Sequence, residues 1–99
     1  MPPAKLDLSP LRRSLAALRK VTRMDLEDEV VRDAAIKRFE FTYELAWKMM
    51  KRHLEWGGES GLTTMPRREL FRLAARYSLI EDPQRWFEYH EGRNLTSHT

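Results

Sequence analysis

The amino-acid sequence predicts an all-α fold, an antiparallel bundle of four or five helices. Apolar residues recur at spacings of three and four along most of the 99-residue chain, as they do on one face of an α-helix. No segment shows the strict alternation of apolar and polar residues that marks a half-buried strand. Two cap-then-proline pairs, Ser9-Pro10 and Asp82-Pro83, stand where helices would begin. A chain of this length forms one compact domain.

The first helix is predicted to begin at Ser9, with the serine as N-cap and Pro10 in the first turn, and to end near Met24 or Asp25. Its apolar stripe consists of Leu11, Leu15, Leu18 and Val21. The net charge of +3 arises mainly here, because residues 1–25 contain six basic and two acidic side chains. This basic cluster is either a contact patch for an anionic partner or the solvated face of an amphipathic helix.

The second helix is predicted over residues 26–56, a segment without proline or glycine that Gly57 and Gly58 terminate. Three acidic residues at 27–29 complement the positive end of its dipole. Its apolar side chains cover more than one neighbouring helix would bury, so this helix should pack against at least two others. They are Ala35, Ile36, Phe39, Tyr43, Leu45, Ala46, Trp47, Met50 and Leu54.

A third helix is predicted to start at Pro66, with Thr64 as its cap, after a glycine-rich connector that lacks the lysine of a phosphate-binding loop. Residues 78–81 should form a turn, and Asp82-Pro83 then opens a fourth helix that runs toward Arg93. The apolar face of the third helix comprises Leu70, Leu73, Ala74 and Tyr77, and the fourth carries Trp86, Phe87, Tyr89 and His90.

Composition narrows the classes of function. A chain this short forms a core but no deep private cavity, so any active site should be shallow or shared between subunits. The absence of cysteine excludes disulfides, thiolate metal sites and cysteine nucleophiles. The sequence contains neither a long apolar run nor an apolar leader. These features predict a cytoplasmic protein that does not associate with a membrane.

The last seven residues carry the strongest chemical signal. Arg93 supplies a guanidinium that can bind a phosphate through two hydrogen bonds, and His98 supplies an imidazole that titrates near neutral pH. Metal-free cleavage of RNA requires two such groups. Asn94 and His98 are four residues apart and would share one helical face, so the amide could orient the imidazole. The structural alternative is a helix end with a capping asparagine.

Neither a metal nor a cofactor is expected. None of the three histidines has another histidine three or four residues away, which is the spacing that places two ligands on one helical face. Glu40 and Glu44 are four residues apart and would fit a paired-carboxylate site. Salt bridges are the preferred interpretation, with Lys37 for Glu40, with Lys48 for Glu44, or between helices.

Two segments resemble the nucleotidyltransferase substrate-binding proteins of the HEPN superfamily: residues 32–48, RDAAIKRFEFTYELAWK, and residues 93–99, RNLTSHT. The segment MPRRELF at 65–71 and the turn at 79–82 stand where that family has a proline-led helix and an acidic turn. The resemblance extends over nearly the whole chain from about Leu11. It predicts a single HEPN-like domain over residues 1–99 that lacks the family's further C-terminal helix.

The resemblance implies a homodimer, or a higher even oligomer, that works with a minimal nucleotidyltransferase. Many members of the family are ribonuclease toxins, and the nucleotidyltransferase is then the antitoxin. By that analogy Arg93, Asn94 and His98 would form a metal-independent cleft at the dimer interface. His98 would act as general base on the ribose 2′-hydroxyl or as general acid from the other subunit, and Arg93 would stabilise the transition state.

The resemblance leaves a second function open, a non-catalytic subunit that binds a nucleotide or another substrate for the nucleotidyltransferase. Arg93 and the basic first helix would then be anion contacts. A helical module with neither activity is the third alternative.

Overall fold

The computed structural model describes residues 6–97. They form four α-helices, α1 (Ser9–Thr22), α2 (Glu29–Trp56), α3 (Arg67–Arg76) and α4 (Pro83–Thr96), and one 3₁₀ turn at Leu62–Thr64. No strand occurs in this part of the chain, and none of its helices is long and apolar enough to cross a bilayer. The predicted all-α fold is confirmed: the described residues form a small helical bundle.

Aspartate side chains cap two of the helices. Asp28 Oδ1 accepts the Val30 backbone N–H at 2.9 Å, and Asp82 Oδ1 accepts the Gln84 N–H at 2.9 Å. Each carboxylate satisfies one of the N–H groups that the first turn of a helix leaves without a partner. Asp82 and Pro83 therefore start α4 as predicted.

The other two predicted caps are wrong. Ser9 is the first residue of α1, and Asp7 provides the acceptor, because its Oδ1 takes the Ser9 N–H at 2.9 Å. Thr64 lies in the 3₁₀ turn, two residues before α3. Met65 and Pro66 between them are extended, since a residue that precedes proline is driven out of the helical region. This keeps the Thr64 side chain away from the start of α3.

The first loop displaces two predicted helix ends. α1 ends at Thr22, and α2 begins at Glu29 rather than at Leu26. Asp25 organises the intervening turn: its Oδ1 accepts the Glu27 N–H at 3.0 Å, and its carbonyl accepts the Asp28 N–H at 3.1 Å. Because these N–H groups point back to Asp25, the helix starts only after them.

Left-handed backbone forms the turns after α2 and α3. Gly58 and Gly61 have φ angles of 96° and 75°, a region that glycine adopts without a steric penalty. Ser78 has a φ of 61°, and the next residue, Leu79, donates its N–H to the Ala74 carbonyl at 2.9 Å. The predicted connector after residue 56 and the predicted turn at 78–81 are both confirmed.

α2 contacts all three other helices, as its wide apolar stripe predicted. α1 runs antiparallel to α2, because Ser14 contacts Thr42 whereas Ala17, later in α1, contacts Arg38, earlier in α2. The buried Ser14 and Thr42 hydroxyls lie 2.6 Å apart, and Arg38 Nη1 donates to the Ala17 carbonyl at 2.9 Å. α4 also runs antiparallel to α2, and α3 runs antiparallel to α4.

The core lies between α2, α3 and α4 and centres on Phe71, which has no exposed surface. Its ring centroid is 6.4 Å from Tyr43, 5.6 Å from Trp86 and 6.3 Å from Phe87. The molecule as a whole is elongated, with a radius of gyration of 15.0 Å against about 13 Å for a compact domain of this length. The 28 residues of α2 span about 42 Å and account for the long axis.

Replacing Phe71 by alanine should lower the free energy of unfolding by about 3–5 kcal/mol, because it leaves a cavity that three aromatic rings cannot fill. Phe41→Ala is the matched control. That side chain is on α2 but 61% exposed, so its removal should change the free energy of unfolding by no more than about 0.5 kcal/mol. Urea titrations followed by circular dichroism measure both values, and equal losses would contradict this location of the core.

Candidate functional site

Arg93, in the last turns of α4, is held against α2 by two carboxylates. Its Nη1 lies 2.9 Å from Glu40 Oε2, and its Nε lies 3.7 Å from Glu44 Oε1. The Arg93 side chain is 28% exposed, and its buried Nε makes no hydrogen bond. The interhelical salt bridge was one of the predicted roles of the two glutamates, and it is confirmed. The predicted Lys37 partner of Glu40 is wrong, because Glu40 turns toward α4.

Both glutamates accept further hydrogen bonds. Thr96 Oγ1 donates to Glu40 Oε2 at 3.3 Å and to the Arg93 carbonyl at 3.0 Å. Trp47 Nε1 donates to Glu44 Oε2 at 2.9 Å. The predicted pair of Glu44 with Lys48 exists at 3.9 Å, with the lysine largely exposed. The two carboxylates are thus fixed by α2 and α4, and they in turn fix the guanidinium of Arg93.

A second polar chain joins three helices beside this cluster. Arg67 Nη1 of α3 donates to the Tyr43 hydroxyl of α2 at 2.9 Å, and the same hydroxyl lies 2.7 Å from His90 Nδ1 of α4. A guanidinium can only donate, so the Tyr43 oxygen accepts from Arg67 and makes its second hydrogen bond with His90 Nδ1.

Burial raises the pKa of Tyr43, an effect that the positive charge of Arg67 partly offsets. Burial also lowers the pKa of His90, and the charges of Arg67 and Arg68 lower it further. Both shifts favour the neutral forms of the phenol and the imidazole. They agree with a hydrogen bond between a neutral phenol and a neutral imidazole.

Among the described residues, Asn94 contacts His90. Its amide group lies 3.5 Å from His90 Nε2, one helical turn back. His98, the predicted partner of Asn94, lies outside the described residues. The spacing argument that selected His98 applies equally to His90, which stands four residues before Asn94 instead of four residues after it. The same signal could therefore have found His90.

Tyr43 and Arg67 carry no such local signal. Tyr43 reads as part of the apolar stripe of α2, and it is indeed 3% exposed. Only the fold brings its hydroxyl between Arg67 and His90. The Arg67 guanidinium also stacks on Trp47, with its Cζ 3.6 Å from the ring centroid, so this arginine is held from two sides.

Gly92 lies within an uninterrupted helix and faces Phe39 of α2. A Cβ atom built at this position would lie 3.6 Å from Phe39 Cζ and 3.8 Å from Cε2, which is ordinary van der Waals contact.

The described residues contain no group of histidine, aspartate and glutamate side chains arranged to hold a metal ion. The polar groups of the site instead pair with one another. What the arrangement offers a substrate is a half-buried arginine, a neutral histidine and an exposed asparagine on the last turns of α4.

The fold and this site define a small helical bundle with an arginine- and histidine-containing polar seam between its second and last helices. The chain belongs to the family described as nucleotidyltransferase substrate binding protein like, within the HEPN superfamily, and the match covers residues 6–99.

One curated relative is named probable ribonuclease HepT, from Haemophilus influenzae. It is 38% identical over an alignment of 81 residues that covers 76% of this chain and 56% of that protein. The chain thus spans about half the length of the curated relative that it matches. No solved structure matches it.

The neutral state of His90 predicts a component of stability that is lost in acid. The unfolded chain takes up a proton on this histidine as the pH falls below about 6.5, whereas the folded chain does so only at lower pH. The free energy of unfolding should therefore decrease with falling pH in that window. The charged or titratable groups around His90 are Tyr43 and Glu44 of α2, Arg67 and Arg68 of α3, and Glu91 of α4.

The variant His90→Gln should flatten the dependence of unfolding free energy on pH below about 6.5. His53→Gln, at an exposed position in α2, is the matched control and should retain the wild-type slope. Urea unfolding at a series of pH values measures both variants. A His90→Gln curve parallel to the wild type would contradict the assignment of a neutral imidazole.

Proposed function

We propose that this protein is a metal-independent endoribonuclease of the HEPN type, the toxin of a two-gene module whose antitoxin is a minimal nucleotidyltransferase. The observation that carries the proposal is Arg93, held half-buried at the end of α4 and followed by Asn94 and, five residues on, by His98. The name of the relative from Haemophilus influenzae, a probable ribonuclease, supports it.

The proposed reaction uses the ribose 2′-hydroxyl as nucleophile. His98 removes the 2′-hydroxyl proton, the 2′-oxygen attacks phosphorus, and the bond to the 5′-oxygen breaks as a histidine of the second subunit returns a proton to it. The products are a 2′,3′-cyclic phosphate and a free 5′-hydroxyl. Arg93 stabilises the charge that develops on the phosphoryl oxygens, and Asn94 holds the nucleotide or the imidazole by hydrogen bonds.

The carboxylates beside Arg93 fit this role by fixing its geometry. A free arginine loses several rotamers when it binds a phosphate, whereas Arg93 is already held by Glu40 and Glu44. A positioned guanidinium stabilises a transition state without reorganising.

The active form in this proposal is a homodimer in which two copies of the terminal segment meet. An apolar groove of about 430 Å³ between α1, α2 and α4 is consistent with assembly, since such grooves favour contact with other chains. Its apolar and aromatic lining includes Leu11, Leu15, Leu18, Phe39, Trp86 and Tyr89. Two copies would bring one arginine and one histidine from each chain to a shared cleft.

Purified protein should cleave RNA in the presence of a chelator, and His98→Ala should cut about 10²–10⁴-fold more slowly, because it removes the proton-transfer group. His53→Ala, an exposed histidine on α2, is the matched control and should retain wild-type activity. Cleavage is followed on a labelled RNA by gel electrophoresis. Equal rates for wild type and His98→Ala would refute the proposal.

Mixing wild-type protein with His98→Ala tests whether one cleft uses a histidine from each chain. If both histidines transfer protons in a shared cleft, the mixed dimer lacks one of them and should cleave about as slowly as the His98→Ala dimer. A mixed dimer with about half of the wild-type rate would instead indicate two independent clefts, each within one protomer.

A second function is favoured by the balance of charge around Arg93. Two glutamates oppose one arginine, which weakens the attraction of this site for the phosphates of RNA. This balance suits a subunit that binds a substrate for a nucleotidyltransferase, a role in keeping with the description of the family. In that case RNA incubated with the purified protein would stay intact. The protein would still co-purify with the nucleotidyltransferase encoded beside it. Failure to form that complex would count against both functions.

A further inference from the structure

The exposed side of α3 carries a row of arginines. Its ten residues contain four arginines and one glutamate, a net charge of 4 − 1 = +3. Arg68, Arg72 and Arg76 follow one another at intervals of four residues and are all exposed. Each step advances about 6 Å along the helix. These three residues are called the α3 arginine row below.

Two members of the row stack on one aromatic ring of α4. Arg68 Cζ lies 4.8 Å and Arg72 Cζ lies 5.4 Å from the centroid of Phe87. An arginine stacked on a ring keeps its N–H groups for a second partner and loses little side-chain freedom when it binds one. Arg68 Nη2 also lies 3.5 Å from Glu91 Oε1, but both side chains of that pair are more than half exposed. Such a pair is weak and exchanges readily for another anion.

The row begins beside the candidate site. Because α3 runs antiparallel to α4, Arg68 lies next to the later turns of α4 and Arg76 lies farthest from them. Phe87 and Glu91, which contact the row, are spaced with Asn94 as i, i+4 and i+7, so the three share one face of α4. The arginines are thus continuous with the face that carries Asn94.

We propose that the α3 arginine row binds the phosphate backbone of an RNA strand and directs that strand to Asn94 at the end of α4. The proposal rests on the ribonuclease function above and adds the path of the substrate. Planar guanidinium groups at regular intervals suit phosphates, which they bind through paired N–H groups. The contacts involve no base edges, so binding along the row should be insensitive to sequence.

α1 provides the matched comparison, because it is also basic, with four basic and no acidic residues. Arg12 and Arg13 are exposed, like the row, but no ring contact to either occurs among the described residues. If net charge alone attracted RNA, both surfaces would contribute alike. If RNA binding depends on guanidinium groups that are stacked and held in position, the arginines of α3 should contribute more to binding than those of α1.

The test measures binding of a fluorescein-labelled 2′-O-methyl RNA oligonucleotide, whose blocked 2′-oxygen prevents cleavage, by fluorescence anisotropy at several salt concentrations. The double variants Arg68→Gln/Arg72→Gln and Arg12→Gln/Arg13→Gln each lower the net charge from +3 to 3 − 2 = +1. Glutamine keeps an aliphatic stem at each position, and thermal unfolding verifies that both variants fold.

The α3 double variant should weaken binding about 10-fold or more, since it removes two charge-assisted contacts. The slope of log K against log salt should fall in magnitude by about 1.4, or about 0.7 for each lost phosphate contact on a single strand. The α1 double variant should keep the wild-type slope. Arg76→Gln, which removes one exposed charge at the far end of the row, should lower the slope by about 0.7 and provides the test if the α3 double variant does not fold.

Equal effects of the α3 and α1 variants would overturn the proposal, as would displacement of the probe by polyglutamate as readily as by unlabelled RNA, which would indicate an acidic protein partner. The two proposals also fail separately. Wild-type protein that binds the probe through α3 but never cleaves RNA refutes only the ribonuclease function. A variant of the row that binds and cleaves like wild type refutes only the proposed path.

Discussion

The hydroxyl of Tyr43 is the point on which the arrangement of the last three helices depends. It belongs to α2, accepts a hydrogen bond from Arg67 of α3 and forms a second one with His90 of α4. The ring below it packs against Phe71 in the core. A polar atom in such a position must be satisfied, because an unpaired buried hydroxyl costs about 1–3 kcal/mol. The two bonds therefore constrain where α3 and α4 can lie on α2, and the groups of the candidate site follow from that position.

Two kinds of electrostatic environment lie side by side on α4 as a result. Burial, together with the charges of Arg67 and Arg68, lowers the pKa of His90 and keeps its imidazole neutral. Arg93, three residues later, faces two carboxylates and has its charge balanced. Asn94 points away from that ion pair, toward His90. A substrate at the end of α4 would thus lie between the neutral imidazole of His90 and the guanidinium of Arg93, whose charge two carboxylates balance.

The sequence predicted the helices well because their signals are local. Apolar periodicity located all four, and aspartate before proline marked the start of α4. The wrong predictions of helix caps also have local causes. Asp7 and the extended Met65 decide where α1 and α3 start, whereas the pattern of a serine or threonine close to a proline had indicated Ser9 and Thr64. Helix ends depend on which nearby oxygen reaches the free N–H groups, and neighbouring candidates compete closely.

The candidate site was harder to predict from the sequence than the helices were. Arg93 and Asn94 were predicted from their own chemistry and spacing, and Arg93 does have the interhelical ion pair that its surroundings require. The contacts of Tyr43, Arg67 and Glu40 join residues that lie 24 to 56 positions apart along the chain, and no periodicity within a helix contains that information. Tyr43 fits the apolar stripe of α2, and Glu40 lies near a lysine in the sequence. Each pattern has a common local interpretation, but it does not predict the contacts that these two residues make with α3 and α4.

The ion pairs of Arg93 make anion binding at this position an exchange reaction. Any phosphate that approaches the guanidinium displaces or shares the contacts of Glu40 and Glu44, so the free energy of binding is the difference between two ion pairs rather than the full value of one. Such a site discriminates by geometry: an anion that forms two good hydrogen bonds gains more than the carboxylates lose, and a diffuse anion gains nothing. A phosphate would therefore bind Arg93 by replacing or sharing its contacts with Glu40 and Glu44.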